Sequence, residues 1–312
     1  MKIKLLVHAL LISVISFFGL QSSATSLSEP KFTFKRGVNI AHWLSQNEGN
    51  LTYAAPWFNE KDVAWIAAQH FDHIRLPVDI RSCLAADGSL DEAKLQPIRD
   101  TIRWARARNL GLVLDAHFLP GADFNAVGGD SRVYADPALQ EKVAAVWRDL
   151  ARRFAKEGSY LRFEILNEPV AAENKQVNSF MKKMLAAIRE SNPTRVVYVT
   201  SNKWSSFHTV SDVELPDDKN IALTIHFYEP LVFTHQRAFW VGLKDDFPPV
   251  TFPGVTPDVT GHTLPTYNQN FHAGDKLTAE DIEKSFVEVS TWLATHAPNI
   301  EVYLGEFGVY YP

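Results

Sequence analysis

Two glutamates at the ends of strand-like segments are the residues of this sequence best suited to acid–base chemistry. Glu168 follows the apolar-rich run 161–166 and Asn167, and Pro169 after it cannot continue a strand. Glu306 ends a second apolar run, 302–305. Catalytic groups of a (β/α) barrel lie at the C-terminal ends of its strands, and glycoside hydrolysis requires a pair of carboxyl groups. Either glutamate alone is equally well explained as the cap of a loop.

Other polar residues end strand-like runs at equivalent positions. Because side chains alternate along a strand, residues two apart share a face. On this basis we expect Val302, Leu304 and Glu306 on one face of the last strand. The strand ends then converge in one mouth, which is predicted to hold two glutamates, two histidines, an arginine and a tyrosine: Glu168, Glu306, His117, His226, Arg75 and Tyr228.

Strands and helices alternate along the chain. Helix signals include Asp136-Pro137 and the capping-box sequence 278–281. Strict alternation predicts parallel strands joined by crossover helices. Seven strands are predicted, at 37–42, 73–78, 112–117, 161–168, 195–201, 221–228 and 300–306.

A barrel of this kind has eight strands, but only six residues follow Glu306. The expected fold is therefore α/β, a (β/α)8 TIM-barrel type truncated after strand seven, with open edges at strands one and seven. The segment 229–277 is long and rich in aromatic residues and proline, which predicts a functional loop forming a wall of the cleft.

The N-terminus has the pattern of a secretory signal peptide. Lys2 and Lys4 precede an apolar stretch, and small residues at Ser22 and Ala24 suit cleavage after residue 24. A membrane anchor is the alternative, but the apolar stretch is short for one. We expect residues 1–24 to be removed and residues 25–312 to be a secreted catalytic barrel, extracellular or periplasmic, without stable membrane association.

Composition limits the other possibilities. The formal net charge of −5 argues against a nucleic-acid partner, and a single cysteine, Cys83, excludes an intramolecular disulfide. No Gly-x-Gly-x-x-Gly motif follows the first strand, and no His-x-His pair ends a strand, which disfavours dinucleotide and metal chemistry. We expect a monomer with no metal and no cofactor.

Six motifs, in order and on the predicted strands, resemble those of glycoside hydrolase family 5, the cellulase family of clan A. The resemblance runs from about residue 34 to the C-terminus. It implies a (β/α)8 barrel and retaining hydrolysis of β-linked glycans. The motifs are Arg36-Gly37-Val38-Asn39, His73-Ile74-Arg75-Leu76-Pro77, Asp115-Ala116-His117, Leu166-Asn167-Glu168-Pro169, His226-Phe227-Tyr228 and Leu304-Gly305-Glu306-Phe307-Gly308.

The resemblance implies roles for the two glutamates and their neighbours. Glu168 matches the family's acid/base and Glu306 its nucleophile. Arg75 matches the arginine beside the nucleophile; the alternative is a core ion pair with Glu164 or Asp115. Asn167 matches the residue that bonds the sugar 2-hydroxyl.

Three further matches complete the implied site. Tyr228 matches the tyrosine that contacts the nucleophile, and His117 and His226 match cleft histidines. The family's tryptophan after strand eight has no counterpart in this sequence.

Tryptophans near strand ends are candidate sugar platforms, because flat apolar rings stack on pyranose faces. Trp43, Trp204 and Trp240 are the candidates, and each is equally compatible with a place in the core.

The favoured function is a secreted endo-β-1,4-glucanase whose partner is a polysaccharide. A β-mannanase or another β-glucanase of the same family is the main alternative. An alternative from a different functional class is a truncated, non-catalytic remnant that binds glycans.

Overall fold

The computed structural model describes the region after the N-terminal segment, with gaps in its loops. The predicted signal peptide lies outside the described residues. Within them, no helix has the length and apolar character needed to cross a bilayer. The described residues are 32–46, 57–125, 129–241, 243, 247–258, 260 and 272–310.

Seven parallel strands form one sheet, in the order in which they occur along the chain. This nearly closed sheet confirms the predicted number of strands and their parallel direction. Its strands are β1 (Gly37–Asn39), β2 (His73–Asp79), β3 (Gly111–Phe118), β4 (Leu161–Glu164), β5 (Val197–Thr200), β6 (Ile221–Phe227) and β9 (Glu301–Phe307).

Helices cross between the strands, and their N-termini carry the capping residues that the sequence indicates. Asp136 accepts hydrogen bonds from the first turn of α3, where Pro137 stands at the first position. Thr278 and Asp281 form a capping box at α7. The helices are α1 (Glu60–Ala68), α2 (Gln96–Arg106), α3 (Pro137–Arg153), α4 (Asn174–Arg189), the short α5 (Asn202–Ser205) and α6 (Leu231–Thr234), and α7 (Ala279–His296).

Strands β1 and β9 are the two ends of the sheet, and one side chain links them directly. Asn39 Nδ2, on β1, donates to the Gly305 carbonyl on β9 at 3.0 Å. A second contact joins β2 to β9, where His73 Nε2 lies 2.9 Å from the Tyr303 hydroxyl. The two end strands are therefore close enough for a single side chain to join them.

The barrel interior has two layers. The lower layer is apolar and packs Val113, Tyr198, Ala222 and Tyr303 together. The upper layer is charged and carries the polar strand-end residues. Because the upper layer carries the strand-end residues, it faces the mouth at the C-terminal ends of the strands.

The long segment between β6 and α7 forms a compact addition to the barrel. It contains α6 and a small antiparallel hairpin, β7 (Gly254–Val255) with β8 (Lys276–Leu277). Its described part has its own apolar cluster, which includes Val232, Leu243 and Phe247.

Candidate active site

Glu168 and Glu306 converge at the mouth of the barrel, with His226 between them. Glu168 Oε1 lies 2.7 Å from His226 Nδ1, and Glu306 Oε2 lies 3.7 Å from the same nitrogen. One oxygen of each carboxyl group and this imidazole all lie within 4.8 Å of one another. The two side chains are 12% and 17% exposed, so the pair is largely shielded from water but accessible.

The strand register that brings Glu306 into the site differs from the simple alternation predicted from the sequence. Ile225 pairs with Leu304 and His226 pairs with Glu306, so Gly305 is an extra residue in β9. This bulge turns Glu306 to the interior, whereas Val302 is exposed on the outer face. The prediction that Val302, Leu304 and Glu306 share one face was wrong, because a bulge shifts the alternation by one residue.

Gly305 is required at the bulge because the space beside it is already filled. A Cβ at this position would lie 2.6 Å from Thr224 Oγ1 and 3.1 Å from His226 Nε2. A side chain here would displace the imidazole that contacts both glutamates. The glycine therefore allows the bulge and the close approach of His226 at the same point.

Glu168 also lies beyond its strand. β4 ends at Glu164, four positions earlier than the predicted end. The following turn is held by Ser205, whose hydroxyl donates to the Asn167 carbonyl at 2.5 Å. Ser205 and its neighbours Lys203 and Trp204 all have positive φ angles, a strained conformation that places α5 against the turn carrying Asn167 and Glu168.

Arg75 is the cation of the site and is fully buried. It donates to Glu306 Oε1 at 2.7 Å and to both oxygens of Glu164 at 2.8 and 2.9 Å. It also lies 3.1 Å from Asp115 Oδ2. Arg75 therefore forms the core ion pairs of the alternative interpretation and contacts Glu306 at the same time, and its role beside a nucleophile remains a prediction.

The carboxylates around Arg75 keep its guanidinium protonated. Burial alone would lower the pKa of Arg75, but the carboxylates of Asp115, Glu164 and Glu306 outweigh burial and raise it. Burial also raises the pKa of Glu164, although Arg75 opposes this effect.

The two glutamates have pKa values shifted in opposite directions. Burial raises the pKa of Glu168, and the charge of Glu306 adds to the increase although His226 opposes it. Burial acts in the same sense on Glu306, but His226, Arg75 and His117 overcome it and lower its pKa. The arrangement therefore keeps a proton near Glu168 while Glu306 is ionised.

His226 and Tyr228 complete the shell around the glutamates. Burial lowers the pKa of His226, but Glu306 and Glu168 outweigh this effect and raise it. The Tyr228 hydroxyl donates to Glu306 Oε2 at 3.0 Å. Burial and the two carboxylates raise the pKa of Tyr228, so the phenol remains a donor.

Asn167 and His117 both belong to the hydrogen-bond network of Arg75. Asn167 Oδ1 accepts from Arg75 at 2.7 Å, which orients the amide. Among the described residues, the buried Asn167 Nδ2 has no hydrogen-bond partner, so a donor remains for a ligand. His117 Nδ1 lies 2.8 Å from Asp115 Oδ2, which links His117 to the Arg75 network.

The three tryptophans occupy different environments. Trp43 is 2% exposed and packs on Phe58, so its placement does not match a sugar platform. Trp204 is half-buried, and its ring N–H donates to the Phe124 carbonyl at 3.0 Å. Trp240 is 43% exposed and contacts the ring of Tyr310.

Several residues near the site were not singled out from the sequence. His235 packs edge-on against Tyr228, with ring centroids 4.8 Å apart, and Tyr310 contacts Trp240. Phe124 packs edge-on against His117. These residues lie in irregular segments without periodicity, so no sequence pattern pointed to them.

Glu168, His226 and Glu306 are also a group of side chains with the ligand types and spacing to hold a metal ion. The facing atoms already have partners in the protein, since His226 Nδ1 contacts Glu168 and Arg75 contacts Glu306. Hydrogen bonds and ion pairs within the chain therefore account for this cluster, and the absence of a metal remains a prediction.

A family model described as Cellulase (glycosyl hydrolase family 5) matches residues 36–311. The chain belongs to this family. The match covers every strand of the barrel sheet and both glutamates, and it confirms the resemblance drawn from the six motifs.

Individual relatives agree with the family match. Endoglucanase C of Acetivibrio thermocellus is 36% identical over 211 residues, which are 67% of this chain and 61% of that protein. Cellodextrinase A of Ruminococcus flavefaciens is 28% identical over 280 residues, or 88% of this chain and 75% of that protein. The chain thus spans about three fifths of the first of these relatives.

Solved structures support the same fold. A hyperthermophilic endo-beta-1,4-glucanase in complex with substrate has a TM-score of 0.68 and 25% identity, with 88% of this chain and 78% of that chain covered. Thermotoga maritima Cel5A in complex with mannotriose has a TM-score of 0.69 and 22% identity, with 88% and 79% covered. At 22% identity, the second likeness concerns the fold alone.

Proposed function

We propose that this chain is a retaining glycoside hydrolase that cleaves β-1,4-glucan by double displacement. The observation that carries the proposal is the pair Glu168 and Glu306, whose nearest oxygens lie within 4.8 Å. Retaining enzymes hold their carboxyl groups about 5–5.5 Å apart, whereas inverting enzymes leave about 6.5–9.5 Å for a water molecule. The endoglucanase relatives support β-glucan as the substrate class.

In the first step, Glu306 attacks the anomeric carbon and Glu168 protonates the leaving oxygen. Arg75 and Tyr228 bind Glu306 through different oxygens, which orients the carboxylate and keeps it ionised. The raised pKa of Glu168 suits the acid that this step needs. The glycosidic bond breaks as the covalent bond to Glu306 forms.

In the second step, Glu168 has lost its proton and acts as a base. It removes a proton from water, which attacks the anomeric carbon and releases Glu306. Once Glu306 is bonded to sugar, its negative charge is gone, and the pKa of Glu168 falls because that charge helped to raise it. The donor of Asn167 is suited to the sugar 2-hydroxyl in both steps.

The proposal is tested on the purified chain with carboxymethyl-cellulose and with mannan, side by side. Glu168→Gln and Glu306→Gln should each abolish hydrolysis. Glu288→Gln, an exposed carboxylate on α7, is the matched control and should leave hydrolysis unchanged. Faster hydrolysis of mannan would change the substrate assignment, and binding without hydrolysis by the parent chain would favour the glycan-binding alternative.

We further propose that residues 1–24 direct export and that the mature chain acts outside the cytoplasm as a monomer. Both points rest on the sequence pattern and composition. The N-terminal sequence and the mass in solution of protein recovered from the culture medium test them. A chain retained in cells with Met1 in place would contradict export.

A further inference from the structure

A series of hydrogen bonds in the lower layer of the barrel links β2 to β9 beneath the candidate active site. It consists of Asp72, His73 and Tyr303, here called the lower link. His73 Nδ1 lies 2.6 Å from Asp72 Oδ1, and His73 Nε2 lies 2.9 Å from the Tyr303 hydroxyl. His73 begins β2 and Tyr303 lies on β9, so the lower link joins two strands that are not neighbours in the sheet.

The protonation states of the lower link give each hydrogen bond a direction. Burial alone would raise the pKa of Asp72, but hydrogen bonds from His73 and from two backbone N–H groups outweigh it and lower that pKa. Because the ionised Asp72 can only accept, Nδ1 of His73 carries a proton. Burial lowers the pKa of His73, although Asp72 opposes this effect, so the ring is neutral and Nε2 accepts from the Tyr303 hydroxyl.

Asp72 extends the lower link to the segment that enters β1. Its carboxylate accepts from the backbone N–H groups of Lys35 and Arg36, at 3.1 Å each. On β1 itself, Gly37 lies against the His73 ring, because a Cβ at this position would be only 2.1 Å from Nε2. The lower link therefore brings together β1, β2 and β9, including both ends of the sheet.

Arg75 and Glu306 form a second contact between β2 and β9, one level higher. Arg75 lies two residues after His73 on β2, whereas Glu306 lies three residues after Tyr303 on β9. The bulge at Gly305 accounts for the difference, because it adds one residue to β9 between the two contacts. Tyr303 and Glu306 can therefore both face the barrel interior, and each meets a partner on β2.

We propose that His73 and Tyr303 are positioning residues, which hold β9 at the height where Glu306 meets Arg75. The proposal rests on the proposed function for the role of Glu306 as the nucleophile. Its structural basis is the pair of contacts that join β9 to β2 at two levels of the barrel. In the sheet that the structure describes, β9 pairs with β6 alone, so its height on the other side depends on side-chain contacts.

Two tyrosines of the lower layer provide the test variant and its matched control. Tyr303→Phe removes the hydroxyl that bonds His73 and keeps the ring, which stacks on Tyr198 with centroids 4.7 Å apart. Tyr198→Phe removes a hydroxyl that accepts from Arg162, on β4, at 2.7 Å. We expect Tyr303→Phe to lower kcat for cellohexaose about three- to tenfold, with KM unchanged within about twofold. Tyr198→Phe should leave both constants unchanged within about twofold.

The pH profile separates positioning from a general loss of stability. A looser contact with Arg75 stabilises ionised Glu306 less, so its pKa rises and the acidic limb of kcat/KM should move to higher pH in Tyr303→Phe. Gly37→Ala, whose methyl group displaces the His73 ring, should move the limb in the same direction. Equal losses of kcat in Tyr303→Phe and Tyr198→Phe, with the limb in place, would mean that the layer only stabilises the barrel and would overturn the proposal.

Crystal structures of the two variants separate failure of the positioning from failure of the proposed function, because they need no turnover. The distance between Arg75 Nη1 and Glu306 Oε1 is 2.7 Å in the parent. It should lengthen in Tyr303→Phe and stay the same in Tyr198→Phe. This result in a parent that cleaves no glucan would overturn the proposed function and leave the positioning in place. A parent that cleaves glucan, with distance and kcat both unchanged in Tyr303→Phe, would overturn the positioning alone.

Discussion

The two halves of the barrel are covered to different degrees. Helix α4, in the first half, packs Phe180, Met184 and Ile188 into a continuous buried cluster that extends through β2–β5 and α1–α4. Helix α7, in the second half, buries only Val289, and Phe286 remains 38% exposed. On β9, Val302 and Phe307 are 40% and 69% exposed. The first half is therefore a closed hydrophobic core, and the second half is thinly covered.

The candidate active site joins these two halves. Glu168 follows β4 in the closed half, and Glu306 stands on β9 in the thinly covered half. Arg75, on β2, connects them by bonding both Glu306 and Glu164. The closed half therefore holds its site residues in a continuous buried core, while the other half supplies the proposed nucleophile, which a few specific bonds hold in place.

The largest expected effects come from the glutamates and separate their roles. Glu168→Ala should lower kcat on unactivated glucan about 10²–10⁴-fold, because general acid catalysis is lost. Its first step on an aryl glycoside with a good leaving group should remain fast, because that departure needs no proton. Glu306→Ala should lose turnover on both substrates, and azide should restore cleavage of the aryl glycoside with inverted stereochemistry. Identical substrate profiles for the two variants would refute these roles.

A matched pair of tryptophans tests the difference in packing. Trp147 on α3 is fully buried and donates to the Ile165 carbonyl, whereas Trp292 on α7 is half-buried. Trp147→Ala should lower the free energy of unfolding by about 3–5 kcal/mol. Trp292→Ala should cost less than half as much, measured by urea unfolding. Equal losses would show that α7 is packed as firmly as α3.

The bulge in β9 gives the next largest effect. Gly305→Ala should cost about 1–3 kcal/mol, because the new methyl group meets Thr224 and His226. Activity should fall with stability, since His226 bonds Glu168. Gly88→Ala is the comparison variant, because nothing lies within 4 Å of a Cβ there, although its φ of +84° adds strain. A Gly305→Ala enzyme with parent activity would refute close packing at the bulge.

The smallest effect concerns pH. Glu306 must be ionised and Glu168 protonated, so kcat/KM should be bell-shaped. The midpoint of the acidic limb reports the lowered pKa of Glu306 and should lie below the usual pKa of a glutamate. The midpoint of the basic limb reports the raised pKa of Glu168 and should lie above that value. Tyr228→Phe removes a hydrogen bond to ionised Glu306, which raises that pKa and moves the acidic limb to higher pH. An acidic limb that stays in place or moves to lower pH would contradict this contact.

Periodicity and strand-end residues were sufficient to predict the barrel strands and the convergence of Glu168, Glu306, Arg75, His226 and Tyr228. Strands could be predicted because the residues that a strand buries are apolar, and this pattern is visible in the local sequence. The exact register of β9 was missed because a bulge depends on what lies beside it. The need for glycine at position 305 becomes evident only from the positions of Thr224 and His226 in the folded protein.

Loop residues were the least predictable part of the site. Trp43 and Trp240 have the same chemistry, but one is buried against Phe58 and the other is exposed beside Tyr310. The contact between Trp240 and Tyr310 joins segments about seventy residues apart, and neither segment has a periodic pattern. Long-range packing of this kind decides which aromatic residues face the cleft.

The most direct test of the central claim is the stereochemistry of the first product. Proton NMR of cellohexaose hydrolysis by the parent chain, recorded before mutarotation, identifies the anomer released. The account predicts the β-anomer, because the short separation of Glu168 and Glu306 favours a covalent intermediate and two inversions at the anomeric carbon. Initial release of the α-anomer would mean a single displacement by water and would contradict the account.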